Sequence, residues 1–168
     1  MTLSEYVPCP ILDAATLHYS EQLVRMRTMN TVPSIPRSSR TPSVESLKIL
    51  NFTEHPDVRY CAIIGRLFKI HPTFDEAIIK ILQNTDRNTF IVLIAESVIS
   101  LNRILYQRFK VSFSNYNALH LLPRVKLVDF SLYTELLNSA KCILDTFPYG
   151  GCLTTHDALA FGVPMVIE

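Results

Sequence analysis

The stretch Cys142–Val166, CILDTFPYGGCLTTHDALAFGVPMV, decides the fold of this chain. An apolar strand predicted at Lys141–Asp145 leads into a turn that contains Pro148, Gly150 and Gly151. Paired glycines at a strand-to-helix corner are expected to leave backbone N–H groups pointing outward, where they attract a phosphate group. An ordinary connection between a strand and a helix is the alternative, and the glycine pair alone does not decide between them.

A helix is predicted after this turn at Thr154–Phe161, with Thr154, Thr155 and Asp157 capping its start. The residues Gly162-Val163-Pro164 are expected to end the helix, because glycine and proline are common just beyond a helix C-terminus.

The same alternation of apolar strands and amphipathic helices extends back to Val58. The run Thr89–Ala95, TFIVLIA, is continuously apolar, which is typical of a strand buried on both faces of a sheet. Pro72 is expected to open a helix. The predicted elements are, in order, the strand Val58–Ile64, the helix Thr73–Asn84, the strand Thr89–Ala95, the helix Leu101–Lys110, the strand Arg124–Val128, the helix Ser131–Ala140 with Ser131 as its N-cap, the strand Lys141–Asp145, the helix Thr154–Phe161 and the strand Met165–Ile167.

Strands and helices that alternate at these spacings predict an α/β fold, a Rossmann-like parallel sheet with helices on both faces. In such sheets a ligand binds at the carboxyl ends of the strands. Three polar corners fall at that edge, namely Gly65–Pro72, Val128–Ser131 and Thr146–Thr155. The sequence therefore predicts a binding site where these corners meet.

Composition narrows the class of function. The chain has 168 residues, of which 48% are hydrophobic, enough for about one domain with a core of its own. The 16 basic and 15 acidic residues give a formal net charge of +1, so we expect no nucleic-acid partner. No apolar run reaches the ~18–20 residues that span a bilayer, and no signal-peptide pattern is present. We therefore expect no membrane partner and an intracellular location, cytoplasmic or nuclear.

The four cysteines, Cys9, Cys61, Cys142 and Cys152, are scattered along the chain. Cys61 and Cys142 lie in apolar strand patterns and are expected to be reduced core residues. No Cys/His spacing fits tetrahedral metal ligation, so we expect no metal site.

Residues 1–57 lack the strand and helix pattern. Within them, Thr31–Ser43 (TVPSIPRSSRTPS) is rich in proline, serine and arginine, a composition that cannot bury a core. We expect this stretch to be an irregular, mobile linker or surface loop, and we divide the chain into residues 1–57 and residues 58–168.

Four stretches occur in a fixed order: Tyr19–Met26 (YSEQLVRM), Leu67–Pro72 (LFKIHP), Leu144–Thr146 with Thr154–Leu159 (LDT and TTHDAL), and Gly162–Val166 (GVPMV). In combination they resemble the C-terminal half of the catalytic region of the O-linked N-acetylglucosamine transferases, GT-B glycosyltransferases with tetratricopeptide repeats. The resemblance covers about residues 17–30 and 58–168. It implies that residues 58–168 form the nucleotide-sugar-binding lobe, truncated at its C-terminus. Residues 1–57 would then be the end of the first catalytic lobe plus a Pro/Ser-rich linker.

The resemblance implies a UDP-sugar donor, UDP-N-acetylglucosamine in this family, a Ser/Thr acceptor on a protein, and no cofactor. Such an enzyme must hold a diphosphate and stabilise the charge that develops as it leaves. A lysine on the first loop suits this task, so Lys69 is predicted to bind the donor and to act in catalysis. Thr154 and Thr155 are expected to bind the same phosphates, and Asp157 occupies the position where the family's acid contacts the ribose. Arg66 is predicted as a second cation.

The sequence departs from the family pattern in two places. Cys152 and Leu153 replace a histidine and a threonine of the animal enzymes. The lysine and histidine that flank the nucleotide base in those enzymes have no clear counterpart in Val128–Tyr133, where Asp129 and Phe130 approach the base by position alone. His156 is expected to be a surface residue.

Because most of the first lobe has no counterpart here, we expect the chain to be a glycosyltransferase fragment or degenerate product that does not transfer sugar by itself. Two alternatives stay open. One is a nucleotide-sugar-binding module without transfer activity, which would bind UDP without turnover. The other is an inactive structural or interaction remnant, which would bind no nucleotide.

Overall fold

The computed structural model describes residues 58–167, together with Ser20, which is exposed. The predicted linker Thr31–Ser43, and the stretch Tyr19–Met26 apart from Ser20, lie outside the described residues. The proposed division between residues 57 and 58 stays a prediction.

Strands and helices alternate throughout the described residues. The strands are β1 (Arg59–Ile63), β2 (Thr89–Ile94), β3 (Val125–Val128), β4 (Cys142–Leu144) and β5 (Met165–Val166). The helices are α1 (Pro72–Gln83), α2 (Ile99–Asn115), α3 (Tyr133–Ser139) and α4 (Leu153–Ala160), with 3-10 turns at Leu67–Lys69, Leu119–Arg124 and Phe130–Leu132.

The five strands form one parallel sheet in the order β3-β2-β1-β4-β5. Strand β1 lies in the centre, where Cys61 pairs with Ile91 of β2 on one side and with Cys142 of β4 on the other. The strand order therefore reverses at β1, with β2 and β3 added on one side and β4 and β5 on the other. Such a reversal is a topological switch point, the usual place for a ligand in an open α/β sheet.

Helices cover both faces of the sheet, which confirms the predicted α/β, Rossmann-like fold. All six residues of β2 are buried, and alternate residues belong to different cores. Ile91 and Leu93 pack with residues of α1 and α2, whereas Phe90, Val92 and Ile94 pack with residues of α3 and α4. Burial on both faces explains why this strand is continuously apolar in sequence.

Helix α2 is longer than predicted. Its buried residues Leu105, Phe109 and Phe113 recur every four residues on one face, so the amphipathic pattern continues beyond the predicted end at Lys110. Among the helices of residues 58–167, none is both long enough and apolar enough to cross a membrane.

The predicted N-cap role of Ser131 is wrong. The carboxylate of Asp129 accepts the backbone N–H of Ser131 at 2.9 Å and starts the 3-10 turn Phe130–Leu132, so that α3 begins only at Tyr133. This hydrogen bond also lowers the pKa of Asp129. An aspartate competes well for a backbone N–H two residues ahead of it.

Helix α4 ends as predicted at the Gly162 region. Gly162 has a positive φ of 66°, its N–H donates to Leu159, and the N–H of Val163 donates to Ala158, each at 2.9 Å. This pair of hydrogen bonds is a Schellman motif, which requires a residue in the left-handed conformation that glycine adopts at low cost.

A buried ion pair joins α1 to α2. The Asp75 carboxylate is 1% exposed and accepts two hydrogen bonds from the Arg108 guanidinium, at 2.7 and 3.1 Å, and a third from the Ser112 hydroxyl at 2.8 Å. Arg108 also donates to the carbonyl oxygen of Ile70 at 2.9 Å. The pair thus fixes both helices and the residue that follows the 3-10 turn Leu67–Lys69.

We expect Asp75→Ala to lower the free energy of unfolding by roughly 3–5 kcal/mol, because it leaves the Arg108 guanidinium partly buried without its carboxylate. Urea denaturation measures this change. The matched control is Glu76→Ala on the same helix, because Glu76 pairs with Lys80 at the surface and its removal should change stability little. Equal losses in the two variants would contradict the assignment.

Candidate functional site

The corners that follow β1 and β4 contact each other at the switch point. The Lys69 Nζ donates to the carbonyl oxygen of Gly150 at 3.1 Å and lies 4.5 Å from the centre of the Tyr149 ring, within range of a cation–π interaction. The lysine is half-buried. Two segments 81 residues apart in the chain are therefore joined through the residue that the sequence placed first among the site residues.

Asp145 organises the turn after β4, residues 145–151, which we call the glycine turn. Its Oδ1 accepts the N–H of Gly151 at 2.8 Å and that of Thr146 at 3.0 Å. The expectation that both glycine N–H groups point outward is therefore wrong for Gly151. The buried Thr146 hydroxyl donates to the carbonyl oxygen of Tyr149 at 2.8 Å and holds the other side of the turn.

Both glycines of the turn are crowded. A Cβ at Gly150 would lie 2.7 Å from Oδ2 of Asp145. A Cβ at Gly151 would lie 2.5 Å from the Thr154 hydroxyl oxygen and 2.7 Å from that of Thr155. Because Gly151 has no side chain, the hydroxyl groups of both threonines can approach its backbone closely.

The start of α4 differs from the expectation that Thr154 and Thr155 cap it. The helix begins at Leu153, Cys152 occupies the N-cap position without a side-chain capping bond, and both threonines lie in the first turn. The Thr155 hydroxyl oxygen and His156 Nδ1 are buried atoms with no hydrogen-bond partner among the described residues. His156, which was predicted to be a surface residue, is half-buried. Unsatisfied polar atoms of this kind are costly unless a ligand or water pairs with them.

Asp157 links α4 to the corner that follows β3. Its Oδ2 accepts the Tyr133 hydroxyl at 2.7 Å, and Tyr133 stacks on Phe130 with ring centres 5.4 Å apart. Burial and the bond to Asp157 raise the pKa of Tyr133, so the phenol stays a donor. The Phe130 ring is 66% exposed. Sequence reasoning placed Asp157 and Phe130 in the site but missed Tyr133, which no motif distinguished.

Arg66 is paired with a carboxylate. Its guanidinium lies 2.9 Å from Oε2 of Glu96, whose side chain is 3% exposed, while Oε1 accepts the N–H of Leu67 at 3.1 Å. Two hydrogen bonds between Glu96 and Asn102, both 2.8 Å, fix the backbone of this acid. Glu96 therefore anchors the turn that ends in Lys69. Glu96 could have been predicted as a residue of this edge of the sheet, because it is the first charged residue after the apolar run TFIVLIA.

We expect Arg66→Ala to lower the free energy of unfolding by about 1–3 kcal/mol, because it leaves the buried Glu96 carboxylate without its cation. Adding Glu96→Gln to this variant should recover part of the loss, since the neutral amide needs no counter-charge and still accepts the Leu67 N–H. Urea denaturation of the two single variants and the double variant measures the coupling. If the stability losses of the two single variants simply add up to the loss of the double variant, the pairing of Arg66 with Glu96 is contradicted.

Within residues 58–167, no three or more His, Cys, Asp or Glu side chains are grouped so as to hold a metal ion.

Comparison with known proteins gives a structural match only. No family model matches this chain, and no curated protein matches it by sequence. A solved structure of a lysine-to-methionine mutant of the Thermobaculum terrenum O-GlcNAc transferase matches with a TM-score of 0.53 and 24% sequence identity. The match covers 66% of this chain and 23% of that chain. This similarity shows that the fold is one also found in an O-GlcNAc transferase.

Proposed function

We propose that Lys69, the glycine turn and the first turn of α4 bind the diphosphate of a UDP-sugar, as the donor side of a glycosyltransferase. The observation that supports this most directly is the contact between Lys69 Nζ and the carbonyl oxygen of Gly150. It brings a cation to the glycine turn, beside the threonines at a helix N-terminus, at the switch point of the sheet. Phosphate groups bind at such positions in α/β proteins.

The chemistry of these groups suits a diphosphate. The lysine ammonium has three donors, and the contact with Gly150 uses one of them. The hydroxyls of Thr154 and Thr155 would donate to phosphate oxygens, and the dipole of α4 favours negative charge at the same end. As the sugar departs, charge builds up on the UDP oxygen atoms. A preorganised cation stabilises that charge more than it stabilises the bound donor, which is the catalytic role proposed for Lys69.

The nucleoside would lie toward Asp157 and Phe130. Asp157 accepts the Tyr133 hydroxyl through Oδ2, and we propose that Oδ1 accepts a ribose hydroxyl. The exposed Phe130 ring, which stacks on Tyr133, offers an aromatic surface for the base. Base–aromatic stacking stabilises binding by about 1–3 kcal/mol.

The finer parts of the proposal are the sugar and the acceptor. For these we propose N-acetylglucosamine and a Ser/Thr hydroxyl of a protein, a choice that rests on the motif resemblance, with which the fold shared with an O-GlcNAc transferase is consistent. Binding of the UDP-sugar without transfer is the alternative. What supports this alternative is that the site residues named above all lie at one edge of a single sheet, whereas transfer needs donor and acceptor held together.

Lys69→Ala should raise the Kd for UDP by roughly ten- to a hundredfold, because it removes a charge-assisted contact to phosphate. The Kd for uridine should change little, since uridine has no phosphate. Isothermal titration calorimetry measures both. Lys141→Ala is the matched control, because Lys141 is exposed at the opposite end of β4. The proposal fails if the parent chain, shown to be folded, does not bind UDP, or if Lys69→Ala binds it equally well.

Phe130→Ala should raise the Kd values for uridine, UMP and UDP by similar factors of roughly five- to a hundredfold, because all three ligands share the base that stacks on the ring. The same titrations, with Leu159→Ala as an exposed apolar control on α4, test this point. A loss confined to UDP would place Phe130 beside the phosphates instead of the base.

A further inference from the structure

Two cysteines face each other across the centre of the sheet. Cys61 of β1 and Cys142 of β4 are direct partners in the parallel register, and their sulfur atoms lie 3.2 Å apart. Both thiols are half-buried at the margin of the core formed with α1 and α2. Because both residues are half-buried rather than fully buried, we expect a small reagent to reach this pair of contacting thiols.

The backbone geometry is compatible with a covalent link. Neighbouring strands are about 4.7–4.9 Å apart, which falls within the range of about 4.4–6.8 Å between Cα atoms in disulfides. The sulfur atoms, 3.2 Å apart, need to approach by only about 1 Å to reach the bonding distance of about 2.05 Å.

We propose that Cys61 and Cys142 are a thiol–disulfide site that closes on exposure to a peroxide. In the first step the Cys142 thiolate attacks one peroxide oxygen, the O–O bond breaks, hydroxide leaves, and Cys142 becomes a sulfenic acid. In the second step Cys61 loses its proton, its sulfur attacks the Cys142 sulfur, and the S–O bond breaks with release of water. The two thiols are oxidised by two electrons, and the peroxide is reduced to two molecules of water.

The two thiols are not equivalent, and this sets the order of the steps. The contact with the Cys61 sulfur, 3.2 Å away, lowers the pKa of Cys142. The neighbouring Cys142 sulfur, together with burial, raises the pKa of Cys61. Because the thiolate is the nucleophile, Cys142 is the residue that reacts with the oxidant and Cys61 the one that resolves the sulfenic acid.

The site is independent of the proposed nucleotide function, since neither sulfur belongs to the corners that hold Lys69 and Gly150. A disulfide here would nevertheless tie together β1 and β4, the two strands from which those corners emerge. Oxidation would thus fix the spacing of the strands at the switch point.

The test treats the folded 168-residue chain with hydrogen peroxide, then blocks remaining thiols with iodoacetamide and maps the peptides by mass spectrometry. Trypsin releases residues 60–66, which contain Cys61, and cleaves before Cys142. A second cleavage on the amino side of Asp145 separates Cys142 from Cys152. We expect residues 60–66 linked to residues 142–144, with the loss of two hydrogens, and reversal by dithiothreitol. Complete alkylation of both cysteines in the treated, folded chain would overturn the proposal, as would a link to Cys152 or Cys9.

Single substitutions test the order of attack. In Cys61→Ser, Cys142 has no resolving thiol, so a dimedone reagent should trap its sulfenic acid. In Cys142→Ser, labelling of Cys61 should be at least several-fold weaker under the same conditions. Circular dichroism of each variant shows that the fold is retained, and the unsubstituted chain gives the primary result whether or not a variant folds. Stronger trapping at Cys61 than at Cys142 would overturn the assigned roles.

Discussion

The parallel pairing of β1 with β2 on one side and β4 on the other is the constraint on which the rest of the structure depends. Because β1 is hydrogen-bonded along both edges, its backbone is held in place independently of the loops that follow it. The chain leaves its carboxyl end in one direction toward α1, while the chain leaving β4 turns toward α4. Lys69 and the glycine turn meet because these two corners start from adjacent strands.

Two carboxylates at strand ends hold these corners in place. Asp145 follows β4 and binds the N–H groups of Thr146 and Gly151, and Glu96 follows β2 and binds the N–H of Leu67 together with Arg66. Each acid orders a loop through backbone hydrogen bonds. The cation of Lys69 therefore projects from a turn anchored by Glu96 toward a turn anchored by Asp145, which limits the movement of both.

Strands and helices could be predicted from the sequence because their patterns are local. The apolar run of β2 and the four-residue spacing of Leu105, Phe109 and Phe113 need no knowledge of distant residues. The error at the start of α3 arose because Asp129 accepts the N–H of Ser131 and begins a 3-10 turn there, so that the helix starts two residues later than predicted.

The missed contacts are those between distant residues. Tyr133 reaches Asp157 only because α3 and α4 pack on the same face, and Cys61 meets Cys142 only through the register of two strands. The sequence could predict that four site residues lie in one region, because parallel strands place their carboxyl ends together. These residues are Lys69, Thr154, Thr155 and Asp157. Their hydrogen-bond partners could not be predicted, because these depend on the side-chain packing around each group.

The sheet order also has a consequence for how the molecule assembles. Pairing of β1 with β2 closes a short stretch of chain, whereas pairing of β1 with β4 joins residues 81 apart, and closing the longer stretch costs more entropy. The half made of β1, β2 and β3 should therefore order first and retain its amide protons longest. Strand β4, α4 and β5 should add last and open most readily in native-state hydrogen exchange. The site region would then exist only while this least stable segment is docked, so a transient opening would release any ligand without unfolding the remaining core.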